Sequence, residues 1–271
     1  MSTSSISPSG GRSLLSKVPE VTVFFWIIKV LCTTVGETFA DFLNGKLGDT
    51  LPKTPLIMTC ALLVALVVQF TVKRYIPVVY WVTVVLISVV GTLITDKMVE
   101  RFNVSLVTST IVFGSLMLAS FGVWYASEKT LSIHSIFTVK REAFYWVAIL
   151  FTFALGTAAG DLIAEKAKLG YAWSALIYAG AIALVALAYY RFRMNAVFAF
   201  WAAYVVTRPL GASIGDLLSQ PKVPNLADDP TAQKGLGLGT TATSWIFLGA
   251  ILAVVVYMTL EQRRREVRAT A

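Results

Sequence analysis

Histidine and cysteine are almost missing from this sequence. Its 271 residues hold one histidine, His134, and two cysteines, Cys32 and Cys60. A histidine-based zinc site is therefore not expected. The cysteines lie far apart, each inside an apolar run, and read as small core residues rather than a disulfide framework. Charge is scarce as well, at 14% Asp, Glu, Lys and Arg, against about 25% in an ordinary soluble domain. No HExxH motif and no nucleophile–histidine arrangement occurs, so the chain is expected not to be an enzyme. "GLGLGT" at 235–240 is not a phosphate-binding loop, because no Gly-Lys-Ser/Thr ending follows and no strand precedes it. Without an ATP-binding motif any transport would be channel-like or gradient-driven, and no cofactor is implied. The net charge of +8 comes without a zinc finger, an aromatic RNA-binding signature or a long basic arm. Nucleic acid is thus not an expected partner, and basic residues flanking apolar spans account for the charge. Residues 1–18 have no apolar region leading to a small-residue cleavage site, and read as a disordered cytoplasmic tail rather than a signal peptide.

What the sequence does hold is apolar length. Hydrophobic residues make up 56% of the chain and the mean hydropathy is +0.72. Apolar segments near the roughly 20 residues needed to cross a bilayer run about 21–43, 55–72, 76–97, 104–126, 143–164, 171–190, 196–218 and 242–260. None alternates apolar with polar residues, so strands are not expected. The expectation is an all-α integral membrane protein of eight transmembrane helices. They form a single domain over residues 19–261, followed by a basic cytoplasmic tail at 262–271.

The spans repeat. Trp26, Trp81, Trp146 and Trp201 open the odd-numbered spans. Ten residues after each stands a glycine, Gly36, Gly91, Gly156 and Gly211, and five further on an aspartate, Asp41, Asp96, Asp161 and Asp216. The even spans echo one another less fully, with Thr108, Ser174 and Thr243 six residues before Gly114, Gly180 and Gly249, a pattern that lets helices approach closely in lipid. The chain thus divides into four two-helix repeats, about 19–73, 74–127, 139–192 and 194–261. Two spans per repeat make the four repeats parallel and bring the four aspartates to one depth. This four-fold repeat, with the phrases "KVPEVT", "TRPLGASIGDLLS" and "GLGLGTTATS", resembles a bacterial family of multi-pass membrane proteins built from a "repeat of unknown function". The resemblance covers roughly Lys17 to Leu260. It implies an integral protein of a bacterial cytoplasmic membrane and no particular activity.

Thirteen Lys and Arg flank the tryptophan side against eight on the aspartate side, which sets both termini in the cytoplasm. The tryptophans are then expected at the cytoplasmic interface as an aromatic belt, mainly as packing residues. The 15 residues from Trp to Asp span about 22 Å of helix, which carries the aspartates into the outer part of the membrane. Each Trp and Asp also share a helix face to within about 60°.

One turn below each aspartate, on the same face, stand Glu37, Thr92, Thr157 and Ala212. Four carboxylates above a fifth and two hydroxyls form a candidate acidic layer. All-oxygen ligands suit hard cations such as Mg²⁺, Ca²⁺ or Mn²⁺, or protons. Two bases break the symmetry, Lys29 in the first repeat and Arg208, followed by Pro209, in the fourth. Both are read as modulating charges, or as residues that snorkel toward the interface. Pro209 would free backbone carbonyls. The glycines read as close-packing sites. The resulting expectation is a secondary transporter for a small cation, with divalent metals among the candidates, proton-coupled at this layer. The alternative is a structural or assembly protein whose aspartates only cap helix ends and join repeats. Expected partners are the lipid bilayer and a small cation or proton, with homo-oligomers left open.

Overall fold

A computed structural model describes residues 17–47, 54–222 and 235–270. The remainder of the N-terminal tail and of the last long connection lie outside the described residues. Eight helices follow in order: α1 Val23–Leu47, α2 Thr54–Thr71, α3 Pro77–Asp96, α4 Leu106–Glu128, α5 Val139–Asp161, α6 Gly170–Phe192, α7 Ala196–Ser219 and α8 Thr240–Thr270. All eight are long and apolar enough to cross a membrane. Beyond Asp96 and Asp161 the chain widens into single π turns, Lys97–Arg101 and Leu162–Lys166. Helix α8 runs on through Thr270, so the basic stretch from 262 to 270 is helical.

Local chemistry sets several of these ends. Pro77 opens α3, where its missing N–H costs nothing. Ser105, Thr138 and Asn195 cap α4, α5 and α7 by accepting from backbone amides of the first turn. The "GLGLG" segment lies back along the end of α7. The amides of Gly235, Leu236, Gly237, Leu238 and Gly239 donate to the carbonyls of Pro221, Leu217, Gln220, Leu218 and Ser219 at 2.6–3.2 Å. A Cβ on Gly235 would lie 2.1 Å from the Gln220 carbonyl oxygen, and Gly237 and Gly239 take φ of +73° and +79°. The segment is therefore a backbone cap on a helix C-terminus, and glycine is what lets it approach.

The odd helices form an inner ring of four. Helix α1 packs against α3 and α7, and α5 packs against α3 and α7, so α1 stands opposite α5 and α3 opposite α7. Within the most apolar stretch of each inner helix 56–67% of residues are buried, against 11–22% in the even helices. Each even helix packs on the odd helix of the next repeat: α2 on α3, α4 on α5, α6 on α7, and α8 back on α1. The repeats thus overlap like the staves of a closed barrel, with the last covering the first.

Two layers show this four-fold order side chain by side chain. In the first, the aromatic residue before each repeat tryptophan meets the tryptophan of the next repeat. The pairs are Phe25–Trp81, Tyr80–Trp146, Tyr145–Trp201 and Phe200–Trp26, with ring centroids 5.5–6.0 Å apart. The hydroxyls of Tyr80 and Tyr145 share a hydrogen bond within it. Trp81, Trp146 and Trp201 are buried and Trp26 is half-buried. The tryptophans thus pack into the bundle, on the face they share with the aspartates, instead of facing outward. In the second layer each glycine meets the residue three before the next repeat's glycine. A Cβ on Gly36 would lie 1.9 Å from Ser88 Oγ, on Gly91 2.9 Å from Phe153 Cβ, on Gly156 2.3 Å from Arg208 Cγ, and on Gly211 1.9 Å from Thr33 Oγ1.

The even-span glycines behave otherwise. Nothing lies within 4 Å of a Cβ built on Gly180 or Gly249, and Gly114 has only an ordinary contact at 3.7 Å. Their expected close-packing role is not met, because the even helices touch the ring through other faces. One further contact crosses the tryptophan end. Lys17 Nζ donates to Glu142 Oε2 at 2.6 Å and to the Phe70 carbonyl at 3.1 Å, while Gln69 donates to Glu142 Oε1 at 2.9 Å. Lys17 and Val18 are buried, and the rest of the expected disordered tail of residues 1–18 lies outside the described residues.

The inner glycines should therefore not accept a methyl group. Gly36→Ala and Gly211→Ala are expected to cost about 1–3 kcal/mol each through overpacking. Gly180→Ala and Gly249→Ala should stay within about 0.5 kcal/mol of the parent, as read by unfolding in detergent.

Candidate functional site

The site begins with a gap in the repeat. At the position below each aspartate the first three repeats carry Glu37, Thr92 and Thr157, while the fourth has only Ala212. Arg208 lies one turn deeper on the same face of α7 and extends into the bundle centre. Its guanidinium Nη2 donates to Glu37 Oε2 at 2.8 Å, to Thr157 Oγ1 at 2.8 Å, and to Thr92 Oγ1. Its Nη1 donates to the Thr33 carbonyl at 3.4 Å. One side chain of α7 thus contacts α1, α3 and α5, the three other helices of the ring, and Thr92 stands on the opposite one. Arg208 is fully buried and Glu37 4% exposed. The backbone permits this approach because Gly156 offers no Cβ where the Arg208 stem passes.

Above this floor the acids divide. Carboxylate oxygens of Glu37, Asp161 and Asp216 all lie within 4.8 Å of one another. Asp216 is buried and Asp161 half-buried. Asp41 instead accepts from Gln220 Nε2 at 3.1 Å, and Asp96 from Asn44 Nδ2 at 2.9 Å. The expected layer of four aspartates therefore divides in two: Asp161 and Asp216 gather with Glu37, while Asp41 and Asp96 are bonded to the amides of Gln220, at the end of α7, and Asn44 on α1. Thr92 and Thr157 join the floor, with their hydroxyls 3.4 Å apart and both accepting from Arg208. Three carboxylates so close repel one another unless a proton or a cation sits among them. Such a cluster of oxygens has the chemistry of a hard-cation site.

Neither base reaches the interface as a snorkelling residue would. Arg208 is the floor of the site, and Lys29 is fully buried below it. Pro209 leaves α7 continuous, and its ring packs near Gly156.

Sequence reasoning missed Asn44, Gln220, Phe153 and Tyr204, as well as the Lys17–Glu142–Gln69 cluster. One signal was available: Phe153 stands at a repeat position that holds Thr33, Ser88 and Arg208 elsewhere.

The Arg208–Glu37 pair yields a direct test. Glu37→Gln leaves the guanidinium buried without an anionic partner and is expected to cost about 3–5 kcal/mol. In the double variant Glu37→Met, Arg208→Met, the loss should fall well below the sum of the single Met substitutions, measured as a double-mutant cycle of unfolding in detergent. Additive losses would mean that the contact is not energetically coupled.

Comparison with known proteins agrees with the internal repeat. No curated protein and no solved structure matches the chain significantly. The model of the family described as Repeat of Unknown Function (DUF347) matches four successive segments, residues 24–75, 79–130, 144–195 and 199–264. These segments coincide with the four helix pairs and cover most of the sequence, so the chain belongs to the Repeat of Unknown Function (DUF347) family.

Proposed function

We propose that the protein is a secondary transporter for a small cation, with protons exchanged at the carboxylate cluster. The observation that carries this reading is the convergence of Glu37, Asp161 and Asp216 within 4.8 Å directly above a buried guanidinium. Charges inside a membrane protein are expensive, and where they persist they face a cavity or mark an ion path. A cation entering among the three carboxylates competes with Arg208 for Glu37. Protonation of Glu37 also weakens its hold on Arg208, so cation and proton act on the same contact. The aromatic layer around Trp81, Trp146 and Trp201 closes the axis at the other end, which fits a carrier open to one side at a time rather than a channel. In this reading both termini face the cytoplasm of a bacterial cell, and the cluster opens outward.

A second reading also has an observation behind it. Asp41 and Asp96 are spent on hydrogen bonds to Gln220 and Asn44, as expected of an assembly protein whose acids only join repeats.

Flux in proteoliposomes separates the two. With Mg²⁺, Ca²⁺, Mn²⁺, Na⁺ and K⁺ tested in turn under a pH gradient, one or more should move at least 10-fold faster than in empty liposomes. Asp161→Asn and Asp216→Asn should abolish that flux, while Asp41→Asn and Asp96→Asn reduce it less. Wild-type flux no faster than in empty liposomes for every ion rejects transport in favour of assembly.

A further inference from the structure

Below the Arg208 floor lies a second basic side chain, with no anion bonded to it. Lys29 is fully buried, and its Nζ makes no hydrogen bond. The Nζ rests instead between two rings, 4.2 Å from the Phe153 centroid and 4.2 Å from the Tyr204 centroid. Phe153 belongs to α5, which stands across the ring from α1. Lys29 therefore reaches over the bundle axis. The next charge along it is Arg208, whose Cζ lies 5.9 Å from the same Phe153 ring.

Packing does not call for a lysine there. Lys29 stands seven residues before its repeat glycine, and the equivalent residues are Val84, Ile149 and Tyr204. Three repeats fill this layer with apolar or aromatic side chains. A buried amino group with no hydrogen-bond partner costs stability at such a place, and a costly exception to a repeated pattern is where function is expected. The faces of two rings provide the negative quadrupole that recognises an ammonium.

We propose that the space between Phe153 and Tyr204 is a second cation site on the bundle axis. Its chemistry suits one monovalent, ammonium-like cation, and Lys29 keeps it filled with a tethered ammonium. The lysine is a built-in occupant that denies free cations a resting place between the carboxylate cluster and the aromatic layer. The site does not require that coupled transport occur, so its test stands apart from the flux assay.

The experiment is thermal unfolding in detergent, with methylammonium chloride titrated against sodium chloride at equal ionic strength. Lys29→Ala should show a saturable rise in Tm with methylammonium over sodium, where the wild type stays flat. Adding Phe153→Leu to Lys29→Ala should abolish the rise. A flat response of Lys29→Ala, or a rise that survives Phe153→Leu, overturns the site. Should Lys29→Ala not fold, Lys29→Met decides. A Tm at or above the wild-type value supports a lysine kept for its charge, as the apolar residues of the other repeats imply. A marked loss of Tm makes Lys29 a packing residue and overturns the proposal.

Discussion

The contact between Arg208 and Glu37 is the interaction on which the centre of this protein depends. It joins the last repeat to the first, and through Thr92 and Thr157 it draws in the other two. In a dry core such a pair gains little net stability, because both charges must leave water. Its value lies in placement. The guanidinium occupies the one position where the four-fold pattern has a hole, at Ala212, and so fixes which helix faces which. It also sets the electrostatics above it, since positive charge close beneath favours the ionised form of the three gathered carboxyls.

The ring of helices that allows this contact is itself a geometric constraint. Four glycines at one repeat position let each inner helix press against the next, down to Gly211 against Thr33, which closes the circle. The outer helices reinforce the closure because each covers the seam of the following repeat. A repeat in this arrangement buries its helices mainly against its neighbours rather than against each other. It becomes stable through its neighbours, as in other repeat architectures, but here the array ends on itself. Once closed, the ring turns sequence differences between repeats into chemistry on the axis: a glutamate in the first, hydroxyls in the second and third, an arginine in the fourth.

Much of the fold could be read from the sequence, and the limit of that reading is physical. The spacing of Trp26, Gly36 and Asp41, recurring three more times, carries the spans, the repeats and the equivalence of positions. The layer of Glu37, Thr92, Thr157 and Ala212 follows from helix periodicity alone. Periodicity says which positions are alike, yet not which copies touch. The placement of α8 on α1, the meeting of Lys17 with Glu142, and the reach of Lys29 to Phe153 are long-range contacts with no local signature. The tryptophans show the difference well. Their spacing from the aspartates sets only a depth along the helix, whereas the face they share with the aspartates turns them inward, where the inner helices are buried.

The central claim is that Glu37, Asp161 and Asp216 hold a cation on the bundle axis above Arg208. Anomalous scattering from crystals of the wild-type protein soaked separately in Mn²⁺ and Tl⁺ tests it most directly. A peak among the three carboxylates, absent from Asp161→Asn crystals soaked in the same way, is the predicted result. Peaks confined to the surface with both ions at saturating concentration would contradict the account.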